Sequence, residues 1–326
     1  MKTQILKMLR SSSEYTSGQS ICNTLGVSRT AVWKYINQLK EDGYVIDALQ
    51  NKGYHISEYP DVMTEVELGS LFENEFIGSE IHFYDQIDST NNEARKIAEN
   101  GAQHGTLVIT ECQNGGRGRR GKTWISPSGS GIWMSIILRP EMEPYNASML
   151  TLIAALAATS AIRKCCGTEC YIKWPNDIVL NGKKICGILT EMSAEPDAVN
   201  YVVIGIGINV NTTEFDEEIK AVASSLFAET GQKIKRSMLV AAFATEFEKY
   251  YDIFIQTQDM SHLVEEYNSM LINAGKEVTI TDSKGAFSGI AIGTDNKGQL
   301  IVTCEDGSVK NIIAGEVSVR GLYGYV

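Results

Sequence analysis

Apolar residues recur at helical spacing three times within the first forty residues. Helices are predicted over residues 2–12, 17–25 and 28–40. In the third, Val32, Ile36 and Leu39 form a single buried stripe. Gly26 can adopt the left-handed backbone of a tight turn, and Ser28 is a typical N-terminal cap. Two helices joined by such a turn are typical of a helix-turn-helix, whose second helix enters the major groove of DNA.

A predicted hairpin follows the third helix. Residues 44–48 and 52–56 can pair around a polar turn at residues 50–53, which would form the wing of a winged helix. Polar residues outside the buried stripe would contact DNA: Ser28, Arg29, Thr30, Lys34 and Asn37. A three-helix packing module with a solvated charged face is the alternative interpretation. The agreement of length, turn, cap and wing favours DNA binding.

The remainder of the chain is dominated by short runs of β-branched residues, after a linker that contains Pro60 and Asp61. Strands are predicted over residues 106–112, 132–138, 170–172, 178–180, 184–191 and 201–211. An amphipathic helix is predicted over residues 237–254. Residues 276–320 alternate between strands and turns at 282–285, 296–298 and 306–307, which is typical of a small β-barrel.

Composition narrows the class of protein. A chain of 326 residues exceeds what one hydrophobic core usually supports, so two or three domains are expected. The apolar fraction of 43% is ordinary for globular domains. The most apolar stretch, residues 149–162, is too short to span a bilayer, and Lys7 and Arg10 argue against a signal peptide. A cytoplasmic protein without a membrane partner is therefore expected.

The net charge of −11 is unevenly distributed. Residues 1–60 carry seven Lys and Arg against five Asp and Glu, whereas the remaining residues carry 22 against 35. Because local charge decides phosphate contacts, the acidic total does not exclude DNA binding by the first sixty residues. The seven cysteines lack the C-x-x-C spacing of zinc sites, so reduced, mostly buried thiols and no protein metal site are expected.

A loop rich in glycine and arginine resembles two nucleotide-binding patterns. Residues 116–123 match G-x-x-x-x-G-K-[ST], and residues 116–121 match G-x-G-x-x-G. Both patterns require a helix to follow, but Pro127 and the strand predicted at residues 132–138 argue against one. Four cations within residues 117–122 instead predict a loop that binds a carboxylate or a phosphate. A solvated, mobile basic loop is the alternative, and a loop that is disordered when empty and ordered by an anionic ligand would combine both.

A second candidate region begins at the segment Lys173-Trp174-Pro175-Asn176-Asp177. It is followed by a predicted hairpin with the turn Asn181-Gly182, a pair that favours primed turns. The hairpin would place Lys184 beside this segment, where a lysine could stabilise charge on a reacting phosphate. Gly205 and Gly207 lie on the last central strand, where missing side chains allow a ligand to approach the backbone.

Together these segments closely resemble the biotin–protein ligase family in its bifunctional form, which combines a biotin ligase with a biotin operon repressor. The resemblance rests on residues 88–91, 113, 116–121, 173–177, 184–189 and 205–209, and it covers essentially the whole chain. It implies an α+β fold in three parts. These are a winged helix-turn-helix over residues 1–60, a central mixed α/β catalytic domain of the biotin/lipoate ligase type over 66–270, and an SH3-like C-terminal β-barrel over 271–326.

In this family biotin and ATP condense to biotinyl-5′-AMP and pyrophosphate with Mg²⁺, and biotin then passes to one lysine of a biotin carboxyl carrier domain. The resemblance implies catalytic roles for Arg119 and Lys184. The implied biotin-binding positions are Ser89, Thr90, Asn91, Gln113, Arg117, Gly118, Arg119, Lys184 and Gly187. The implied nucleotide-binding positions are Trp124, Asn176, Asp177 and Asn209. No nucleophile from the protein is expected.

The resemblance also implies operator DNA as a partner and a homodimer promoted by biotinyl-5′-AMP, since operators are usually read as paired half-sites. Three alternatives are a biotin-sensing transcription regulator without ligase activity, a ligase of the lipoate type, and a ligase whose winged helix reads no operator. Arg119 and Lys184 favour an enzyme, because a sensor need not retain groups beside a reacting phosphate. The arginine loop (residues 116–123) and residues 173–177 favour biotin over lipoate.

Overall fold

The computed structural model describes residues 1–282, 285–313, 316–319 and 322, which form two units. The first unit comprises Met1–Glu73 and Lys235–Ala241. Its elements are α1 (Lys2–Arg10), α2 (Gly18–Leu25), α3 (Arg29–Glu41), β1 (Val45–Leu49), β2 (Gly53–Glu58) and α4 (Glu65–Leu71). Gly26 ends α2 in the left-handed conformation, and Ser28 Oγ accepts a hydrogen bond from the backbone N–H of Ala31. The predicted helix-turn-helix with a β-hairpin is confirmed, whereas α4 was not predicted.

One hydrophobic core holds the first unit together. Its buried side chains come from the three leading helices and the hairpin: Ile5, Leu6, Leu9, Ile21, Val32, Ile36, Leu39, Ile46 and Ile56. Thr16 pairs with the hairpin through two backbone hydrogen bonds to Tyr54, of 2.8 and 2.9 Å. Gly53 permits this approach, because it has a φ of 115° and a Cβ there would lie 2.1 Å from the carbonyl oxygen of Thr16.

A buried carboxylate joins α4 to other parts of this unit. Glu67, 1% exposed, accepts hydrogen bonds from Arg10 Nη2 at 2.7 Å, Tyr44 Oη at 2.6 Å and Ser237 Oγ at 2.9 Å. Burial and the adjacent Glu67 raise the pKa of Tyr44, so its hydroxyl remains a donor. Since a buried charge requires partners, these contacts fix the positions of α1, α4 and Ser237 within the unit.

The second unit comprises Asn74–Ile234 and the described part of residues 242–326. Its central elements are β3 (Ile81–Tyr84), α5 (Thr90–Glu99), β4 (Leu107–Thr110), β5 (Gly131–Leu138), α6 (Pro144–Ala147), α7 (Leu150–Cys166), β6 (Tyr171–Lys173), β7 (Asp177–Leu180), β8 (Lys183–Glu195), β9 (Ala198–Asn209), α8 (Leu226–Thr230), α9 (Arg236–Thr257) and α10 (Val264–Ser269). Helix α9 begins in the first unit. The predicted helix over residues 237–254 is confirmed, and β8 and β9 are longer than predicted.

Seven strands form one sheet in the order β3-β4-β5-β9-β8-β7-β6. Only β3 and β4 pair in parallel; the other neighbouring strands are antiparallel. Asn181 and Gly182, with φ of 51° and 78°, form the turn between β7 and β8, so the predicted hairpin is confirmed.

Helix α7 of the second unit is strongly apolar, and most of its residues are buried. With the preceding α6 it forms a 23-residue segment, Pro144–Cys166, that is long and apolar enough to cross a membrane. This segment is longer than the apolar stretch considered in the sequence, but 78% of its most apolar window is buried in the fold. It is therefore accounted for as a core helix.

A second sheet lies in the C-terminal region. Its strands are β10 (Glu277–Asp282), β11 (Gly285–Thr294), β12 (Leu300–Cys304), β13 (Val309–Ile312) and β14 (Glu316–Val319). They pair antiparallel in the order β13-β12-β11-β10-β14, with turns near residues 296–298 and 306–307 as predicted. Residues 283–284 of the third predicted turn lie outside the described residues. The predicted α+β fold class is confirmed.

Candidate functional site

The start of α5 and the loop after β4 are joined by hydrogen bonds of a glutamine. Gln113 Oε1 accepts a hydrogen bond from the backbone N–H of Thr90 at 2.8 Å, and its Nε2 donates to Ser126 Oγ at 2.8 Å. Ser89 precedes α5, is 2% exposed, and makes no side-chain capping hydrogen bond. The predicted residues Ser89, Thr90 and Gln113 are therefore brought together in a polar, largely buried corner.

Asn91 extends this corner across the sheet. Its Oδ1 lies 2.7 Å from Ser135 Oγ on β5, and its Nδ2 donates to the carbonyl of Leu189 at 3.2 Å and to Glu191 Oε2 at 2.7 Å, both on β8. A Cβ at Gly205 on β9 would lie 2.1 Å from Asn91 Oδ1. The space above Gly205, which the sequence suggests for a ligand, is thus filled by the amide of Asn91.

The arginine loop forms a tight turn rather than the start of a helix. Residues 119–121 make one 3₁₀ turn, in which Arg120 has a φ of 56°, and the chain then continues in extended conformation towards β5. A Cβ at Gly116 would lie 2.3 Å from the carbonyl oxygen of Trp124, so the two sides of the loop approach closely. Without a helix at its end, the loop does not form either nucleotide-binding motif that its sequence matches.

Three predicted cations each contact an acceptor within the site. The pairs are Arg117 Nη2 with Glu191 Oε2 at 3.0 Å, Arg119 Nη1 with Asn176 Oδ1 at 2.9 Å, and Lys184 Nζ with Asp177 Oδ1 at 2.6 Å. The arginine loop is thereby held against β8 and against the segment that precedes β7. Guanidinium and ammonium groups at this end of the sheet form a region suited to a carboxylate or a phosphate.

Residues 173–177 are anchored from the C-terminal part of the chain. The backbone N–H of Trp174 donates to Asn273 Oδ1 at 2.8 Å, and its indole N–H donates to the carbonyl of Gly298 at 3.0 Å. Asn176 is fixed by its side-chain Nδ2, which donates to the carbonyl of Ile188 at 3.0 Å. The amide that meets Arg119 therefore has one defined orientation.

Residues 222–224 lie along Lys184. The backbone N–H of Lys184 donates to the carbonyl of Val222 at 2.8 Å, and its carbonyl accepts from the N–H of Ser224 at 2.9 Å. Asn209 Nδ2 donates to the carbonyl of Ser224 at 3.0 Å. This segment, for which the sequence supports no residue assignments, is thus part of the wall around Lys184.

Trp124 lies on a surface made by two glycines. Gly187 on β8 and Gly207 on β9 are opposite each other, and a Cβ on either would come within 2.8 Å of the indole. Lys184 Nζ lies 5.2 Å from the centre of the indole ring, within the range of a cation–π contact. The indole nitrogen is buried and has no hydrogen-bond partner among the described residues.

Two titratable groups near this sheet are held neutral. Burial raises the pKa of the Cys186 thiol, which favours the protonated form over the nucleophilic thiolate. Burial lowers the pKa of His104, whose Nδ1 accepts a hydrogen bond from the backbone N–H of Arg139 at 3.0 Å. In the described part of the chain, no three His, Cys, Asp or Glu side chains are grouped to hold a metal.

Two hydrogen-bonding residues of this site, Ser135 and Glu191, were not predicted from the sequence. Ser135 is a hydroxyl residue in the otherwise apolar strand β5, a local signal that could have identified it. Glu191 carries no local signal, because its partners Arg117 and Asn91 are 74 and 100 residues away in the chain.

The candidate DNA interface lies in the first unit. Four of the predicted residues are exposed at the beginning and along the outside of α3: Ser28, Arg29, Thr30 and Lys34. Asn37 is half-buried, and the hydroxyl of Ser28 is occupied by capping. Arg29 donates to Gln19 Oε1 through Nε and Nη2 at 3.2 and 2.7 Å. Trp33, which was not predicted, is 60% exposed on the same helix.

Comparison with known proteins agrees with this organisation. Residues 83–209 match the Biotin/lipoate A/B protein ligase family, residues 2–55 match an HTH domain, and residues 274–320 match the Biotin protein ligase C terminal domain. The chain is 40% identical over 309 residues to the Bifunctional ligase/repressor BirA of Bacillus spizizenii, covering 94% of each chain. It is 30% identical over 316 residues to the protein of the same name from Escherichia coli, covering 96% of this chain and 95% of that one.

A solved structure is also similar. The biotin protein ligase of Aquifex aeolicus in complex with biotin and ATP matches with a TM-score of 0.65 and 28% identity. The match covers 74% of this chain and 99% of the Aquifex chain.

We expect Gly205→Ala to lower the melting temperature of the second unit by several degrees. The added methyl group would overlap Asn91 Oδ1, and such overpacking typically costs about 1–3 kcal/mol. Asn91→Ala removes the amide that the new methyl group would overlap. In that background Gly205→Ala should therefore lower stability much less than it does alone. Calorimetry of the two single variants and the double variant measures this coupling. Strictly additive losses would show that the two residues do not share this space.

Proposed function

Because this chain belongs to the family of bifunctional biotin ligases and repressors, we propose that it activates biotin with ATP to biotinyl-5′-AMP. It then transfers biotin to a specific lysine of a biotin carboxyl carrier protein, and it represses biotin operons with biotinyl-5′-AMP as corepressor. The observation that supports the ligase proposal is that Arg117, Arg119 and Lys184 each contact an acceptor of the same sheet or of the segment before β7, namely Glu191, Asn176 and Asp177.

The polar corner at the start of α5 suits the ureido ring of biotin. Ser89, Thr90, Asn91 and Gln113 supply hydroxyl and amide groups there, and all except Gln113 are at most 4% exposed. Gly118 of the arginine loop and Gly187 of β8 are the remaining residues that we propose to bind biotin. Because the polar groups of this corner are already fixed, binding of a ligand costs less side-chain conformational entropy than it would with mobile groups.

The first chemical step joins the carboxylate of biotin to the α-phosphorus of ATP. A carboxylate oxygen forms the new O–P bond while the bond to pyrophosphate breaks, so negative charge accumulates on the α-phosphoryl oxygens and the leaving group. Arg119 and Lys184 would stabilise that charge as fixed donors, and Arg117 would hold the carboxylate. In the second step the amine of the carrier lysine attacks the carbonyl carbon of the adenylate, and AMP leaves.

Nucleotide and metal contacts would come from Trp124, Asn176, Asp177 and Asn209. Mg²⁺ usually binds through one or two carboxylates together with substrate phosphates rather than in an all-protein cage. Asp177, half-buried beside Lys184, is a carboxylate that fits this requirement. When bound, Mg²⁺ would neutralise phosphate charge.

A biotin-sensing regulator without ligase activity is the second candidate. The exposed recognition helix is common to both, but a sensor does not need Lys184 paired with Asp177 beside the nucleotide site. We also infer a cytoplasmic location, where ATP and carrier proteins are available; the burial of the apolar helix α7 supports it.

The ligase proposal predicts that Lys184→Ala lowers the rate of adenylate formation about 10²–10³-fold, as loss of one charge-stabilising donor usually does. The measurement is pyrophosphate release with biotin, ATP and Mg²⁺, followed by transfer of biotin to a carrier domain. Lys183→Ala is the matched control. The Lys183 side chain is 44% exposed, and its ion pair is long, with Nζ 3.9 Å from Glu229 Oε1. Wild-type protein that binds biotin but releases no pyrophosphate would favour the sensor.

The repressor proposal predicts that Lys34→Ala weakens operator binding and reduces the slope of log K against log salt by about one, as loss of one phosphate contact does. Lys40→Ala, an exposed lysine at the far end of α3, is the control and should bind nearly as the wild type does. Fluorescence anisotropy over a salt series measures both. Equal effects of the two substitutions would argue against recognition through the beginning of α3.

We further infer that biotinyl-5′-AMP promotes a homodimer, because one winged helix makes few phosphate contacts and paired half-sites require two. Sedimentation velocity at micromolar protein should show the fraction of dimer increase when biotinyl-5′-AMP is added. Arg119→Ala should reduce this increase if the loop couples ligand binding to assembly. Sedimentation that does not change with ligand would contradict the proposal.

A further inference from the structure

Glu191 lies inside the proposed biotin site. Neither step of the proposed reaction gives its carboxylate a role. Its Oε1 and Oε2 accept from Arg117 Nη2 at 3.2 and 3.0 Å, and Oε2 also accepts from Asn91 Nδ2 at 2.7 Å. The side chain of Glu191 is 25% exposed and that of Arg117 is 38% exposed. The pair is therefore screened by solvent only in part.

The surroundings of Glu191 hold its carboxylate in place from one side. The donor group of Asn91 is directed towards Glu191 because its oxygen faces Ser135 Oγ at 2.7 Å. Asn91 Nδ2 is also anchored on the carbonyl of Leu189 at 3.2 Å. Glu191 therefore keeps a hydrogen bond even when Arg117 turns to another acceptor.

We propose that Glu191 competes with the ligand for Arg117. The carboxylate of biotin must displace the Glu191 carboxylate from the Arg117 guanidinium before it can bind there. The proposal rests on the ligase function above and identifies Glu191 as a positioning residue that sets ligand preference. Both anions suit the same guanidinium, and a second negative charge beside a bound carboxylate is unfavourable. Glu191 thus reduces the advantage that a charged ligand has over a neutral one of the same shape.

The test compares biotin with biotinol, the neutral alcohol analogue, by calorimetric titration of the full chain. In Glu191→Gln the Kd of biotinol divided by the Kd of biotin should rise about threefold at low salt, a change of about 0.65 kcal/mol that lies within the range of an exposed ion pair. The increase should shrink near 1 M salt, where the Debye length is about 3 Å. A merely structural role of Glu191 would not produce this dependence on ligand charge.

Three variants make the comparison specific. Glu195→Gln removes the same charge from an exposed position on β8 and should leave the Kd ratio unchanged. In an Arg117→Gln background, Glu191→Gln should raise the ratio by a clearly smaller factor, because only the direct repulsion between Glu191 and the bound carboxylate then remains. Glu191→Asp, which shortens the side chain by one methylene, should raise the ratio by a smaller factor and serves if Glu191→Gln does not fold.

Each other outcome contradicts the proposal. Equal losses of affinity for biotin and biotinol would mean that Glu191 only orients Asn91. An unchanged ratio would mean that Arg117 does not choose between the two carboxylates. Failure of the wild-type chain to bind biotin would instead overturn the ligase function itself, so the two failures are distinguishable.

Discussion

The buried amide of Asn91 is the contact on which the rest of the candidate site depends. It lies on the first turn of α5, faces Ser135 on β5, donates to β8, and occupies the space that Gly205 leaves on β9. An amide buried to 4% exposure is stable only when its oxygen and nitrogen both have partners. Its partners therefore fix one helix against three strands to within hydrogen-bond tolerance.

The positions of the cations follow from this arrangement. Because Asn91 holds Glu191, Glu191 can hold Arg117, and the loop that carries Arg117 also carries Arg119 to Asn176. The pairing of β8 with β9 contributes the second constraint. It sets Gly187 opposite Gly207, so that the Trp124 indole packs against both strands. A side chain at either glycine position would exclude the ring. Backbone register thus positions Trp124 and, through its ring, the ammonium of Lys184.

Features encoded by neighbouring residues could be predicted from the sequence, and features encoded by distant residues could not. The caps of α2 and α3 and the Asn181-Gly182 turn depend on a few adjacent residues, and the structure has them as predicted. The helix-turn-helix and the loop without a helix follow from the same local chemistry. Glu191 became visible only when folding brought together positions 74–100 residues apart. A glycine at position 205 indicates open space above β9. The sequence does not show that a side chain from α5, Asn91, fills that space.

Pairing with acceptors of the same chain limits what the positive charge of the arginine loop contributes to anion binding. Four cations within residues 117–122 would repel one another unless anions or solvent screen them, and a chain with net charge −11 can supply acceptors of its own. Glu191 does so for Arg117 and Asn176 for Arg119, while Asp177 pairs with Lys184 beside the loop. An anion that enters this region displaces acceptors that are already paired with the cations. The net gain in Coulomb energy on binding is therefore small. Affinity must come largely from the buried polar corner at α5 and from shape, whereas the cations contribute most when charge develops during reaction.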